Sequence, residues 1–126
     1  MLADRRVHAI LPTTDVDALR PFYEETLGLM PLAVLRGVVL YRAGAGTLFG
    51  ISRSGGVASG AHTQVAFTVP DIDAEVAALK ARGVVFEAYE MPLTVDGVAT
   101  MPDGRAAWFK DPAGNLLGLI EFNEVV

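Results

Sequence analysis

The sequence predicts an α+β fold built from two tandem βαβββ modules, and three observations predict it. The tetrapeptide "DVDA" at 15–18 returns as "DIDA" at 71–74. The stretch "AGTLFGISR" (45–53) aligns without gaps on "AGNLLGLIE" (113–121), with Ala, Gly, Leu and Gly shared at equivalent places. Around these echoes, the same order of strand-like and helix-like patterns runs twice, so duplication explains the pair better than coincidence. The 126 residues suffice for one domain, or for two half-domains too small to fold apart. The chain is read as a single domain over 1–126: module one at about 5–53, a Gly/Ser-rich linker at 54–61, and module two at about 62–123.

Module one opens with "VHAILPT" (7–13), an apolar run ending in turn-forming residues and hence a strand. "DVDALRPFYEETLG" (15–28) follows as a helix, with Leu19, Phe22, Tyr23 and Leu27 as its apolar stripe and Gly28 as its stop. Asp15 or Asp17 caps it. Pro21 fits the first turn only if Asp17 is the cap, because few backbone donors there have intrahelical partners. "PLAVLRG", "VVLYRAG" and "TLFGISR" are three strands, with "GAG" as a hairpin tip. Module two repeats the plan with the strand "TQVAFTV" (63–69) and the helix "DIDAEVAALKARG" (71–83), stopped by Gly83. The strands "VVFEAYEM", "AAWFKD" and "LLGLIEF" complete it, with "PLTVDGVATMPDGR" as a long loop between the first two. That loop reads either as a flap or as an extended hairpin.

The bulk properties exclude several function classes. An apolar content of 52% supports a real core. The formal net charge is −5, and no Lys/Arg run occurs, which argues against nucleic acid and anionic membranes as partners. With no cysteine there is no disulfide, thiol nucleophile or thiolate metal site. "MLADRRVHAI" lacks the apolar run of a signal peptide, so a cytoplasmic location is expected.

Two βαβββ modules, the opening pattern "D-x-D-A-x-x-x-FY-x-x-x-LG" and the closing "FKDPAGNLLGLIEF" resemble the vicinal oxygen chelate superfamily. Glyoxalase I, extradiol dioxygenases, fosfomycin-resistance enzymes and bleomycin-resistance binding proteins belong to it. The resemblance covers roughly residues 5 to 123. It implies a curled mixed sheet with a cleft, completed by paired modules within a chain or across a homodimer. It also implies metal ligands on the first and last strands of each module in the enzymes. The first-strand ligand would stand seven residues before the helix-opening aspartate, which gives His8 and Gln64. The last-strand ligand would stand seven residues after the aspartate of the "DP-x-GN" turn, which gives Gly118, with Gly50 equivalent in module one.

Histidine, glycine, glutamine and glycine do not make a divalent-metal site, which wants about three protein ligands and anionic oxygens. Glu121 is three residues past Gly118, on the opposite face by strand alternation. No metal or other cofactor is therefore expected. The expected function is metal-free binding of a small organic molecule, an antibiotic among the candidates. A divalent-metal-dependent lyase, isomerase or dioxygenase is one alternative, and a metal-free isomerase using His8 as acid/base is another, so enzymatic activity is left open. The candidate ligand-binding residues are His8, Gln64, Gly50, Gly118, Ser52, Tyr41 and Trp108, with His8 the one catalytic candidate. Each has a plainer reading. The glycines bend their strands, His8 is satisfied by backbone or water, and Tyr41 and Trp108 are core.

Overall fold

The computed structural model describes residues 1–123 and divides them into two compact units, split between Ala58 and Ser59, inside the segment read as a linker. Residues 124–126, the last of the predicted domain, lie outside the described residues.

In the first unit, β1 (Ala9–Thr13) leads into the helix α1 (Val16–Pro21), and β2 (Met30–Leu35), β3 (Val38–Arg42) and β4 (Leu48–Arg53) follow. The sheet order is β1-β4-β3-β2, with β1 and β4 parallel and the other pairs antiparallel. Leu11, Val39, Tyr41, Phe49 and Ile51 are buried, as are Val16, Leu19 and Tyr23 of the helical segment. The Tyr23 ring lies 5.6 Å from those of both Tyr41 and Phe49, which identifies this face of the sheet as the helix-covered one. The other face carries the row Ile10, Gly50, Leu40 and Ala33, aligned by the strand registers.

The repeated aspartates do the same work twice. Asp15 (φ −142, ψ 99) accepts a hydrogen bond from Ala18 N, and Asp71 (φ −144, ψ 97) accepts one from Ala74 N. Asp15 is thus the cap of α1, and the condition under which Pro21 would sit in a first turn is not met. Pro21 ends α1 instead, because it has no N–H to return to the preceding turn. The backbone widens into a π-helical turn over Phe22–Thr26, closed by Leu27 N donating to Phe22 O at 2.9 Å. Gly28, at φ 73, then ends the helical path as the sequence predicts.

The second unit contains β5 (Thr63–Thr68), α2 (Ile72–Ala81), β6 (Thr94–Val95), β7 (Val98–Met101), β8 (Gly104–Lys110) and β9 (Leu116–Phe122), in the sheet order β5-β9-β8-β7-β6. Here the prediction fails at one element. "VVFEAYEM" is not a strand; it offers only the isolated bridges Phe86 to Phe109 and Glu90 to Leu93. The expected loop holds two short strands instead. Asp96 (φ 54) and Gly97 (φ 87) form a two-residue turn with both central residues left-handed, the geometry that suits the twist of a hairpin. The segment offered as flap or hairpin is a hairpin, paired to β8 through β7.

Parallel pairing of β5 with β9 matches that of β1 with β4, and the registers place Ala66 beside Gly118 as Ile10 stands beside Gly50. Ile72, Val76, Phe109, Leu117 and Leu119 are buried in this unit. Among the described residues, no helix is long and apolar enough to cross a membrane.

Candidate functional site

In the first unit, His8 stands just ahead of β1 and is exposed. It borders a concavity of about 630 Å3 together with Arg6, Val7, Thr47 and Leu48, and no carboxylate lines it. The imidazole therefore has no acidic neighbour in that concavity to orient it as a base. Gly50 does not leave a void. A Cβ built there would lie 2.9 Å from Leu40 Cδ2, 3.0 Å from Ile10 Cδ1 and 3.1 Å from Val39 O. The neighbouring methyl groups already fill the space that the missing side chain would take. Ser52, two residues on, is half-buried and borders a separate concavity of about 790 Å3 at the end of the sheet.

Tyr41 corrects the sequence reading. It belongs to the helix-covered face, opposite Gly50, and is 0% exposed. Its hydroxyl donates to Glu24 Oε2 at 2.9 Å, and Glu24 also accepts from Arg20 at 2.7 Å. The same period-two alternation that turns Gly50 away from the helix turns Tyr41 towards it. The Arg20 hydrogen bond holds the Glu24 carboxyl below its ordinary range, and burial holds the Tyr41 hydroxyl above its own. Sequence reasoning overlooked this cluster, although Arg20 and Glu24 stand four apart on a helical segment, where opposite charges meet.

In the second unit, Gln64 is held from both ends of its amide. Its Nε2 donates to Asn115 Oδ1 at 3.0 Å, and its Oε1 accepts from Leu116 N at 3.1 Å. Asn115, fully buried, in turn donates through Nδ2 to Asp111 Oδ2 at 2.8 Å, while Asp111 Oδ1 accepts from the backbone of Ala113 and Asn115. The "DPAGN" turn is thus closed by its own side chains and tied to β5 by Gln64. Gln64 earns this position through an irregularity, since the β5–β9 register shifts between Thr63 and Val65.

Gly118 pairs with both Ala66 and Trp108 on the face away from α2. A Cβ there would lie 3.3 Å from Thr63 Cγ2 and 3.4 Å from Trp108 Cδ1, so the indole leans over the glycine. Trp108 Nε1 donates to Thr63 Oγ1 at 3.1 Å, and Tyr89 meets the indole edge-on at 5.5 Å between ring centres. Glu121 faces the other way, as alternation predicts. Its Oε2 accepts from Ile72 N at 2.8 Å and so serves the N-terminus of α2.

The donor set does not fit a divalent cation. Gly50 and Gly118 carry no donor, the Gln64 oxygen is already bonded to a backbone N–H, and Glu121 is turned to its helix. Among the described residues, no three His, Asp or Glu side chains come together in a group that could hold a metal ion.

Comparison with known proteins agrees with this architecture. The family profile described as "Glyoxalase/Bleomycin resistance protein/Dioxygenase superfamily" matches residues 5–119. Among solved structures, TnmS3, an antibiotic binding protein from Streptomyces sp. CB03234, is 26% identical, with a TM-score of 0.72 over 95% of this chain and 98% of that one. The fosfomycin resistance protein FosX from Listeria monocytogenes is 18% identical, with a TM-score of 0.70 over 93% of this chain and 90% of its own. A lactoylglutathione lyase from Agrobacterium tumefaciens is 21% identical, with a TM-score of 0.67 over 94% and 93%. The last two share the fold alone. No curated protein matches the chain.

Proposed function

Because the chain belongs to the glyoxalase/bleomycin resistance protein/dioxygenase superfamily, we propose that it binds a small organic molecule, an antibiotic among the candidates, without a resident metal ion. One observation carries this reading: both last-strand positions that would supply a carboxylate are glycines, each covered by a neighbouring apolar side chain. What the faces away from the helices offer is apolar surface with a few polar groups, the composition of a small-molecule site. Trp108, with Thr63 and Tyr89 beside it, is the group suited to a flat ligand. The likeness to an antibiotic binding protein supports the same direction.

The test combines metal analysis with calorimetry on the full chain. Purified protein is expected to hold no stoichiometric zinc, nickel, manganese or iron. Titration with a panel that includes bleomycin and fosfomycin is expected to give saturable binding that EDTA leaves unchanged. An equivalent of metal that disappears in His8→Ala would overturn the reading, as would turnover abolished by that variant while binding persists. We further infer a cytoplasmic homodimer. The sheets end on β1, β2, β5 and β6, whose outer backbone edges a second copy would cover. Light scattering across a dilution series is expected to give twice the chain mass.

A further inference from the structure

Among the described residues, three cations are committed to carboxylates: Arg20 to Glu24, Arg105 to Asp73, and Lys110 to Glu87. Arg36 and Arg53 are different. Neither side chain has an ion pair or hydrogen-bond partner among the described residues. In a protein of net charge −5, both border the same concavity of about 790 Å3 at one end of the first unit's sheet.

The backbone fixes this rim. Arg36 occupies the two-residue turn between β2 and β3, and Gly37 (φ 79) completes that turn. Arg53 ends β4, and its N–H donates to Gly37 O at 2.9 Å. Ser54 N donates to Thr13 O at 2.8 Å, which ties the end of β4 to the end of β1. A side chain at Gly37 would stand beside Arg53, with its Cβ 3.8 Å from Arg53 Cβ, and the left-handed φ of 79 favours glycine there. Thr14, Ser52 and Ser54 add hydroxyl groups to the lining. Ser54 Oγ accepts from Gly56 N, which leaves its O–H free to donate.

We propose that this rim binds an oxyanion, the phosphate or carboxylate group of a small molecule. Two arginines and three hydroxyl-bearing residues on one lining supply the charge and the hydrogen-bond donors that such planar, multiply accepting groups take. The neighbouring recess sharpens the assignment. A smaller concavity of about 430 Å3 is also bordered by Arg36 and Arg53, but Asp15 and Asp17 line it. The larger one has no acidic lining residue, so the anion belongs there. The volume lies within the roughly 300–1,000 Å3 of small-molecule sites. This site does not depend on ligand binding at the faces near Gly50 and Gly118, and either can fail without the other.

The experiment is an amide NMR titration of the full chain with inorganic phosphate and, separately, with malonate. Saturable shifts centred on Gly37, Ser54 and Gly55 are expected with at least one probe, and the better probe identifies the source as phosphoryl or carboxylate. Arg36→Gln and Arg53→Gln are each expected to weaken binding about tenfold or more, the effect of losing one charge-assisted hydrogen-bonding group. Arg5→Gln removes the same charge from another exposed position and is expected to change nothing. No saturable shift with either probe overturns the proposal. So does equal weakening by all three substitutions, which would mark a general charge effect.

Discussion

Gly50 and Gly118 occupy equivalent places but are not equally constrained. A methyl at Gly50 would press on Leu40, Ile10 and a backbone oxygen at 2.9–3.1 Å, whereas at Gly118 its nearest neighbours would be Thr63 and the indole at 3.3–3.5 Å. Gly50→Ala is therefore expected to destabilise by about 1–3 kcal/mol through overpacking. Gly118→Ala is expected to cost distinctly less, and urea unfolding of the two variants makes the comparison. The Glu24 cluster gives a pH signature of opposite sign at its two ends. Glu24 holds its proton less tightly in the folded chain than at its ordinary value of 4.5. Its contribution is full above that value and is lost as pH falls through the lower folded value. Tyr41 is raised above 10.0, so its contribution is full below pH 10 and declines as pH rises past it. Glu24→Gln is expected to flatten the acid limb of a stability–pH curve, and Tyr41→Phe the alkaline limb, both read from unfolding midpoints.

Elements were legible where a local signal and a burial pattern agreed. "DVDA" and "DIDA" each combine a capping aspartate with an apolar stripe, and both open helices with nearly the same dihedral angles. The strand after α2 was misread because "VVFEAY" is rich in residues that favour strands, while the ladder it would have joined is taken by a hairpin. The signal for that hairpin was present as "VDGV", a two-residue turn sequence between apolar residues. Gly97→Ala tests it. The new Cβ would lie 2.9 Å from Phe86 Cβ at a left-handed φ of 87, and hydrogen exchange is expected to rise across β6 and β7 first. Of the candidate site, spacing pointed to His8 and Gln64, but gave no sign of the bonds that hold Gln64. Asp111 and Asn115 share one short turn, but the link from Asn115 to Gln64 spans the length of the unit and was invisible to any local window. Asn115→Ala would remove the hydrogen bonds that the Asn115 amide makes to Asp111 and Gln64 and is expected to cost about 1–3 kcal/mol in an unfolding titration.

At the scale of the whole molecule, each unit follows one plan: a sheet with a helix on one face and a glycine at the matching place on the other. The plan is specific for the family and permissive for chemistry, because the residues at the equivalent positions decide what a copy can hold. Ligand binding should then appear as stability. A ligand held at a hundred times its Kd adds about 2.7 kcal/mol to the folded state. For a chain of this length that is roughly 10 °C in melting temperature. A calorimetric scan with EDTA alone is expected to leave the melting temperature where it was.

Trp108 also gives the protein an optical property. It is the one tryptophan in the chain, its N–H is engaged by Thr63, and Tyr89 stands against its edge. All indole emission therefore originates from a single site with one defined polar neighbour. A molecule settling on that surface would alter the lifetime and anisotropy of one fluorophore, with no mixture of emitters to resolve. Thr63→Val would shift the emission to the blue by removing the indole's acceptor, which calibrates the signal before any ligand is known.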